Sequence, residues 1–149
     1  MKSIKVTLFG IFLLFFTGCA SHYNAKLARS LGADDYGMKK YVLVILKTGT
    51  NMTTDKLLLD SLFKGHMASI RKLSDEGKMI VAGPLQKNEN NYRGIFVLNV
   101  KDVAEAKILL ENDPTIREGI FEVELYDWYG SAALPEYLKI HSKIEKKSH

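Results

Sequence analysis

Two periodicities of apolar residues divide most of this chain into strands and helices. Tyr41-Val42-Leu43-Val44-Ile45-Leu46 is a continuous apolar, β-branched run bounded by lysines, the pattern of a strand buried on both faces. Over residues 57–73 the spacing changes to three and four, with Leu59, Leu62, Phe63, Met67, Ile70 and Leu73 recurring as on an amphipathic helix. Thr53, Thr54 or Asp55 can cap this helix, and Glu76-Gly77 stops it. Residues 78–82 read as a short second strand broken by Gly83-Pro84, and residues 92–100 as a third. Asp102 and Glu105 have capping-box spacing and open a second helix with Val103, Ala106, Leu109 and Leu110 as its stripe. Asn112-Asp113-Pro114 ends that helix, because proline disfavours helical geometry at the residue before it. Phe121, Val123 and Leu125 alternate with Glu122 and Glu124 in a fourth strand, and residues 135–147 suggest a short terminal helix.

The order strand-helix-strand-strand-helix-strand predicts an α+β, ferredoxin-like βαββαβ domain, an antiparallel sheet with two helices on one face. That arrangement leaves the second sheet face open although the first strand is apolar on both sides. Pairing with a second copy through that face is the economical cover, so a homodimer is expected.

One residue breaks the apolar stripe of the first long helix. His66 shares its side with Leu59, Phe63, Ile70 and Leu73, and so points toward the interior or a pocket. A buried imidazole needs partners for its ring nitrogens. His66 is therefore either an acid/base or ligand-binding group, or a brace that holds its helix to a neighbouring loop.

The N-terminus follows a different pattern. Lys2 and Lys5 precede a nearly all-apolar run over residues 6–16, followed by Thr17, Gly18 and Cys19. A basic start, a short apolar stretch and small residues describe a signal peptide, and the run is shorter than a membrane span of ~20 residues. Phe16-Thr17-Gly18-Cys19 resembles a bacterial lipobox. That resemblance implies cleavage before Cys19, acylation of its sulfur and anchoring on the periplasmic side of a membrane. Ala20 after the cysteine resembles the outer-membrane sorting pattern of Gram-negative bacteria. The expected organisation is a signal peptide (1–18), a lipidated tether (19–38), a globular domain (39–130) and a basic C-terminal extension (131–149).

Composition narrows the function classes. The chain has 149 residues, 46% hydrophobic and 26% charged, within the range of a globular protein. Loss of Lys2 and Lys5 with the signal segment lowers the net charge from +4 to +2. With no basic stripe, nucleic acid is not an expected partner. Cys19 is the single cysteine, so no disulfide forms within the chain. No closely spaced histidines or cysteines point to a metal, and no motif points to a cofactor. His22, His141 and His149 fall in the tether and tail and read as solvated. Tyr126, Trp128 and Tyr129 read as sheet or dimer packing.

Several short segments carry a family likeness: His66, then Leu73-Ser74-Asp75-Glu76-Gly77-Lys78-Met79, Ala82-Gly83-Pro84, Asp113-Pro114 and Gly119-Ile120-Phe121-Glu122. In order and spacing they resemble the YCII-related family of dimeric α+β barrel proteins, over about residues 41–128. The resemblance implies a ferredoxin-like protomer that dimerises through its sheet. It also implies a His–Asp pair lining a pocket, which falls here on His66 and Asp113. It brings the Gly83-Pro84 turn near that pocket, although the turn also serves simply to end a strand. Arg117 lies where relatives carry a less charged run and is a further candidate for binding an anionic substrate, or a solvated side chain.

A carboxylate on one ring nitrogen sets the tautomer of an imidazole and leaves the other nitrogen for proton transfer. No nucleophilic serine or thiol accompanies the pair, so proton abstraction, isomerisation or elimination on a small organic molecule fits better than acyl transfer. The alternative is a non-catalytic binding or assembly module displayed on a membrane by Cys19.

Overall fold

The computed structural model describes residues 23–147. The signal segment, the lipobox and Cys19 lie outside the described residues. Four antiparallel strands, β1 (Met38–Thr48), β2 (Met79–Pro84), β3 (Tyr92–Leu98) and β4 (Phe121–Ser131), form one sheet in the order β2-β3-β1-β4. This is the ferredoxin-like arrangement. In the centre of the sheet Val44 stands opposite Phe96 on one side and Leu125 on the other.

Helices α2 (Lys56–Asp75) and α3 (Val103–Leu110) cover one face. Leu62 and Leu73 of α2 and Ala106 and Leu110 of α3 close a core over Val42, Val44, Leu46, Phe96 and Leu98. Both helices start on an aspartate. The Asp55 carboxylate accepts from the amides of Leu57 and Leu58, and Asp102 accepts from the amide of Glu105. The Glu105 carboxylate reaches back to the amide of Lys101, one residue beyond the usual capping-box partner.

Four local features depart from the sequence reading. β2 continues through Gly83 and Pro84, because it is an edge strand and a missing N–H is tolerated there. In the expected tether the helical turns that the sequence allows over residues 25–31 form as α1 (Ala25–Leu31), capped by the Asn24 side chain and closed by Gly32 in the left-handed region, but the segment after it is tied to the sheet rather than extended. Asp34 then accepts from the amides of Tyr36 and Met38 and from the Tyr129 hydroxyl, which fixes the entry into β1 against β4. A single helical turn, α4 (Pro114–Arg117), starts where the sequence suggested only a break.

The fourth departure concerns the second sheet face. A 3-10 turn (Leu134–Tyr137) and α5 (Leu138–Ile144) return across it, and Leu134 and Leu138 pack on Tyr41, Ile80 and Val97. The C-terminal extension is therefore part of the fold. It covers the Tyr41 end of the face and leaves Leu43 and Ile45 only half-buried, so β1 is not buried evenly on both sides.

Candidate active site

The middle of α2 carries the site. His66 is 7% exposed and lies among three phenylalanine rings: Phe121 at 5.5 Å, Phe96 at 6.0 Å and Phe63 at 6.3 Å between centroids. Its position on the apolar stripe of α2 places it there, as the spacing indicated. An imidazole in such surroundings needs a polar partner, and α4 provides it.

Asp113 is the N-cap of α4, with Pro114 at the first helical position, where a missing N–H costs nothing. Its Oδ1 accepts from the Thr115 amide at 2.9 Å and the Thr115 hydroxyl at 2.7 Å. Its Oδ2 lies 2.6 Å from His66 Nδ1. Asp113 and Thr115 are both buried. Burial pushes the Asp113 carboxyl up, but the bond to His66 and the hydroxyl and amide of Thr115 outweigh it and hold the group below the ordinary carboxylate range.

The network also fixes the histidine tautomer. Thr115 has one hydroxyl proton, and the 2.7 Å bond commits it to Asp113. Thr115 Oγ1, 3.1 Å from His66 Nδ1, then has only lone pairs to offer. Nδ1 must carry the proton and share it between Asp113 and Thr115. In the neutral ring Nε2 is left as a lone-pair nitrogen with no partner among the described residues. No sealed side-chain nitrogen or oxygen among the described residues lacks a partner, so Nε2 keeps its opening to the pocket that His66 lines.

That pocket has a volume of about 610 Å³. Phe63, Met67 and Ile70 of α2 line it together with Leu46, Phe96 and Phe121 of the sheet. Gly83 and Pro84 line it as well, so the structure brings these two sequence candidates into one pocket with His66, while Asp113 is buried and is not among the lining residues. Arg117 is not brought there. Its guanidinium lies 3.2 Å from the carboxylate of the adjacent Glu118 on the surface, because α4 turns it away from the pocket. Among the described residues no group of three or more His, Cys, Asp or Glu side chains is placed to hold a metal ion.

A family model described as the YCII-related domain matches residues 41–129, which contain the whole His66–Asp113–Thr115 network. The chain belongs to the YCII-related family. No curated protein matches significantly. Among solved structures, 5-chloro-2-hydroxyhydroquinone dehydrochlorinase from Burkholderia phenoliruptrix AC1100, in complex with 2,5-dihydroxybenzoquinone, is similar at 18% identity and a TM-score of 0.42. The match covers 58% of this chain and 92% of that one.

Three contributors to this YCII-related site escaped the sequence reading. Thr115 was legible in principle, since Asp-Pro-Thr is an N-cap followed by proline at the first helical position, and its hydroxyl lies within reach of the cap. Gly65 is the second: a methyl group there would stand 2.5 Å from Pro114 Cγ, so its bare backbone lets α4 come close. The third is the C-terminal segment, whose Tyr137, Leu138, His141 and Glu145 line the same pocket. His141 read as solvated because no periodic signal ties a short tail to a distant helix.

Proposed function

We propose that this YCII-related protein is a small acid/base enzyme in which His66 Nε2 takes up and returns a proton on a small organic molecule. The supporting observation is the asymmetry of the ring: Nδ1 is held 2.6 Å from a buried carboxylate, while Nε2 has no partner among the described residues and lies beside a pocket of about 610 Å³. In this reading Asp113 keeps the tautomer and balances the imidazolium that forms when Nε2 is protonated. Thr115 keeps Asp113 in place. The three phenylalanines exclude water and favour an apolar substrate body. Proton abstraction, with isomerisation or elimination as its outcome, suits a site with one base and no attached nucleophile.

The test is deuterium uptake. A panel of small carbonyl compounds and organic acids is incubated with the protein in D₂O and followed by mass spectrometry. Catalysed exchange by at least one compound is expected, with a loss of about 10²–10⁴-fold in a His66→Gln variant that still folds and melts cooperatively. Exchange that survives His66→Gln would sink the proposal. The second reading, a binding module without turnover, draws on the near-complete burial of Asp113 and Thr115, which also suits a brace between α2 and α4. It predicts ligands recovered unchanged.

The proposal also takes the protein to be a homodimer held at a membrane by acylated Cys19, on the motif Phe16-Thr17-Gly18-Cys19. Labelling with a tagged fatty acid in a bacterial host should mark the wild-type chain and fail on Cys19→Ser. Equal labelling of both would remove the anchor from the proposal.

A further inference from the structure

The acid/base reading uses one end of the pocket and leaves the other unexplained. That other end is built partly by residues beyond the 41–129 span of the family match. The Tyr137 hydroxyl donates to the Ile80 carbonyl on β2, the edge strand of the sheet. The Tyr137 ring meets the His141 ring edge-on, with centroids 6.4 Å apart. This anchor sets His141 at the pocket rim. Arg93 of β3 lines the same pocket and enters no ion pair among the described residues. Arg71 brings a second guanidinium to the lining and Glu145 a single carboxylate, against walls that are otherwise mostly apolar.

Pockets of this kind fix orientation with a few polar groups while apolar walls supply most of the contact. A guanidinium seats a carboxylate or similar oxyanion in a forked geometry that a neutral group does not reproduce. Taking the acid/base reading as its basis, we propose that the substrate is an apolar organic anion. Arg93 and His141 seat its carboxylate or comparably acidic oxygen, and its hydrocarbon part lies against the phenylalanines beside His66. Tyr137 is a positioning residue for His141. Glu145 disfavours a second anionic group, so a monoanion is selected over a dianion.

The probes are naphthalene-1-carboxylate and its neutral counterpart naphthalene-1-carboxamide. They are titrated into the full chain carrying ¹³C-labelled histidine rings, with signals assigned by His66→Gln and His141→Gln. The carboxylate should move both the His66 and His141 signals and bind about fivefold to tenfold tighter than the carboxamide. Arg93→Gln should abolish that preference without weakening the carboxamide, and Arg93→Lys should restore part of it. Tyr137→Phe should reduce the His141 response to the carboxylate while the carboxamide still moves His66. Equal affinity of the two probes, an equal loss for both in Arg93→Gln, or no response of either ring at millimolar concentration would overturn the inference. These readouts report binding alone, so absence of turnover leaves them standing. Conversely, His66-dependent exchange of a neutral compound that ignores Arg93→Gln would overturn the anion site and spare the acid/base reading.

Discussion

Gly65 and Pro114 are in a contact that no side chain on α2 would permit. A methyl group on Gly65 would stand 2.5 Å from Pro114 Cγ, a ring atom that cannot swing aside. The residues next to them, His66 and Asp113, form the 2.6 Å bond at the centre of the site. Glycine inside a helix costs about 1 kcal/mol relative to alanine, so its presence in α2 works against helix stability and in favour of this approach. Gly65→Ala should therefore lose more by overpacking, about 1–3 kcal/mol, than it gains in propensity. Urea melts would measure the loss, and the His66 ring signals should change with it. A stabilised variant with an unchanged His66 would show that the contact does not position the pair.

The hydroxyl of Thr115 determines which nitrogen of His66 bears the proton. Long-range ¹H–¹⁵N spectra of the neutral ring should show a protonated Nδ1 and a bare Nε2. Thr115→Val keeps the shape but removes the donor to Asp113 Oδ1 at a fully buried position. A loss of about 1–3 kcal/mol is expected for leaving that oxygen short of a partner. A wild-type spectrum with the proton on Nε2 would contradict the hydrogen-bond assignment.

Asp113 should make stability depend on acid pH. Its folded-state pKa is depressed, because the bonds from His66 and Thr115 outweigh burial. A depressed carboxyl contributes stability that is present above its unfolded value of about 3.9 and is lost as pH falls through the folded value. Asp113→Asn keeps a capping side chain but cannot titrate. The stability difference between wild type and Asp113→Asn should shrink as the pH falls below about pH 4. Denaturation series at stepped pH would measure it, and a difference that grows as the pH falls below about 4 would reverse the sign of the argument.

The elements differ in how much of them could be read from sequence, for physical reasons. Periodicity is local, so the four strands, α2, α3 and the inward position of His66 were all visible in runs of apolar residues. The His66–Asp113 pairing came from a family resemblance, since a contact across 47 positions leaves no periodic trace. α4 was hidden because Asp113-Pro114 carries two meanings, the end of one helix and the N-cap and first residue of the next. Gly65 was invisible because its role is an absence, defined only once Pro114 lies against it. The terminal helix is legible and its basic end reads as solvated, but nothing local shows that Leu134 and Leu138 have a sheet face to cover.

That cover is partial, and the rest of the face has the character of an interface with a second copy. Beyond the reach of Leu134 and Leu138, the face shows half-buried Ile45 and Ile95, with Tyr126 49% and Trp128 37% exposed. Trp128 leans on Tyr41, ring centroids 5.7 Å apart, and the Lys47–Glu124 ion pair at 2.8 Å crosses the far end. An aromatic and aliphatic centre with a charged border has the composition of an interface. Sedimentation of the full chain should give a dimer at micromolar concentration. Tyr126→Asp should weaken it by at least about 2 kcal/mol, roughly thirtyfold in Kd. Trp128 emission should shift to the red as the dimer dissociates. A wild-type monomer would mean that the C-terminal segment has replaced the second copy as cover for this face.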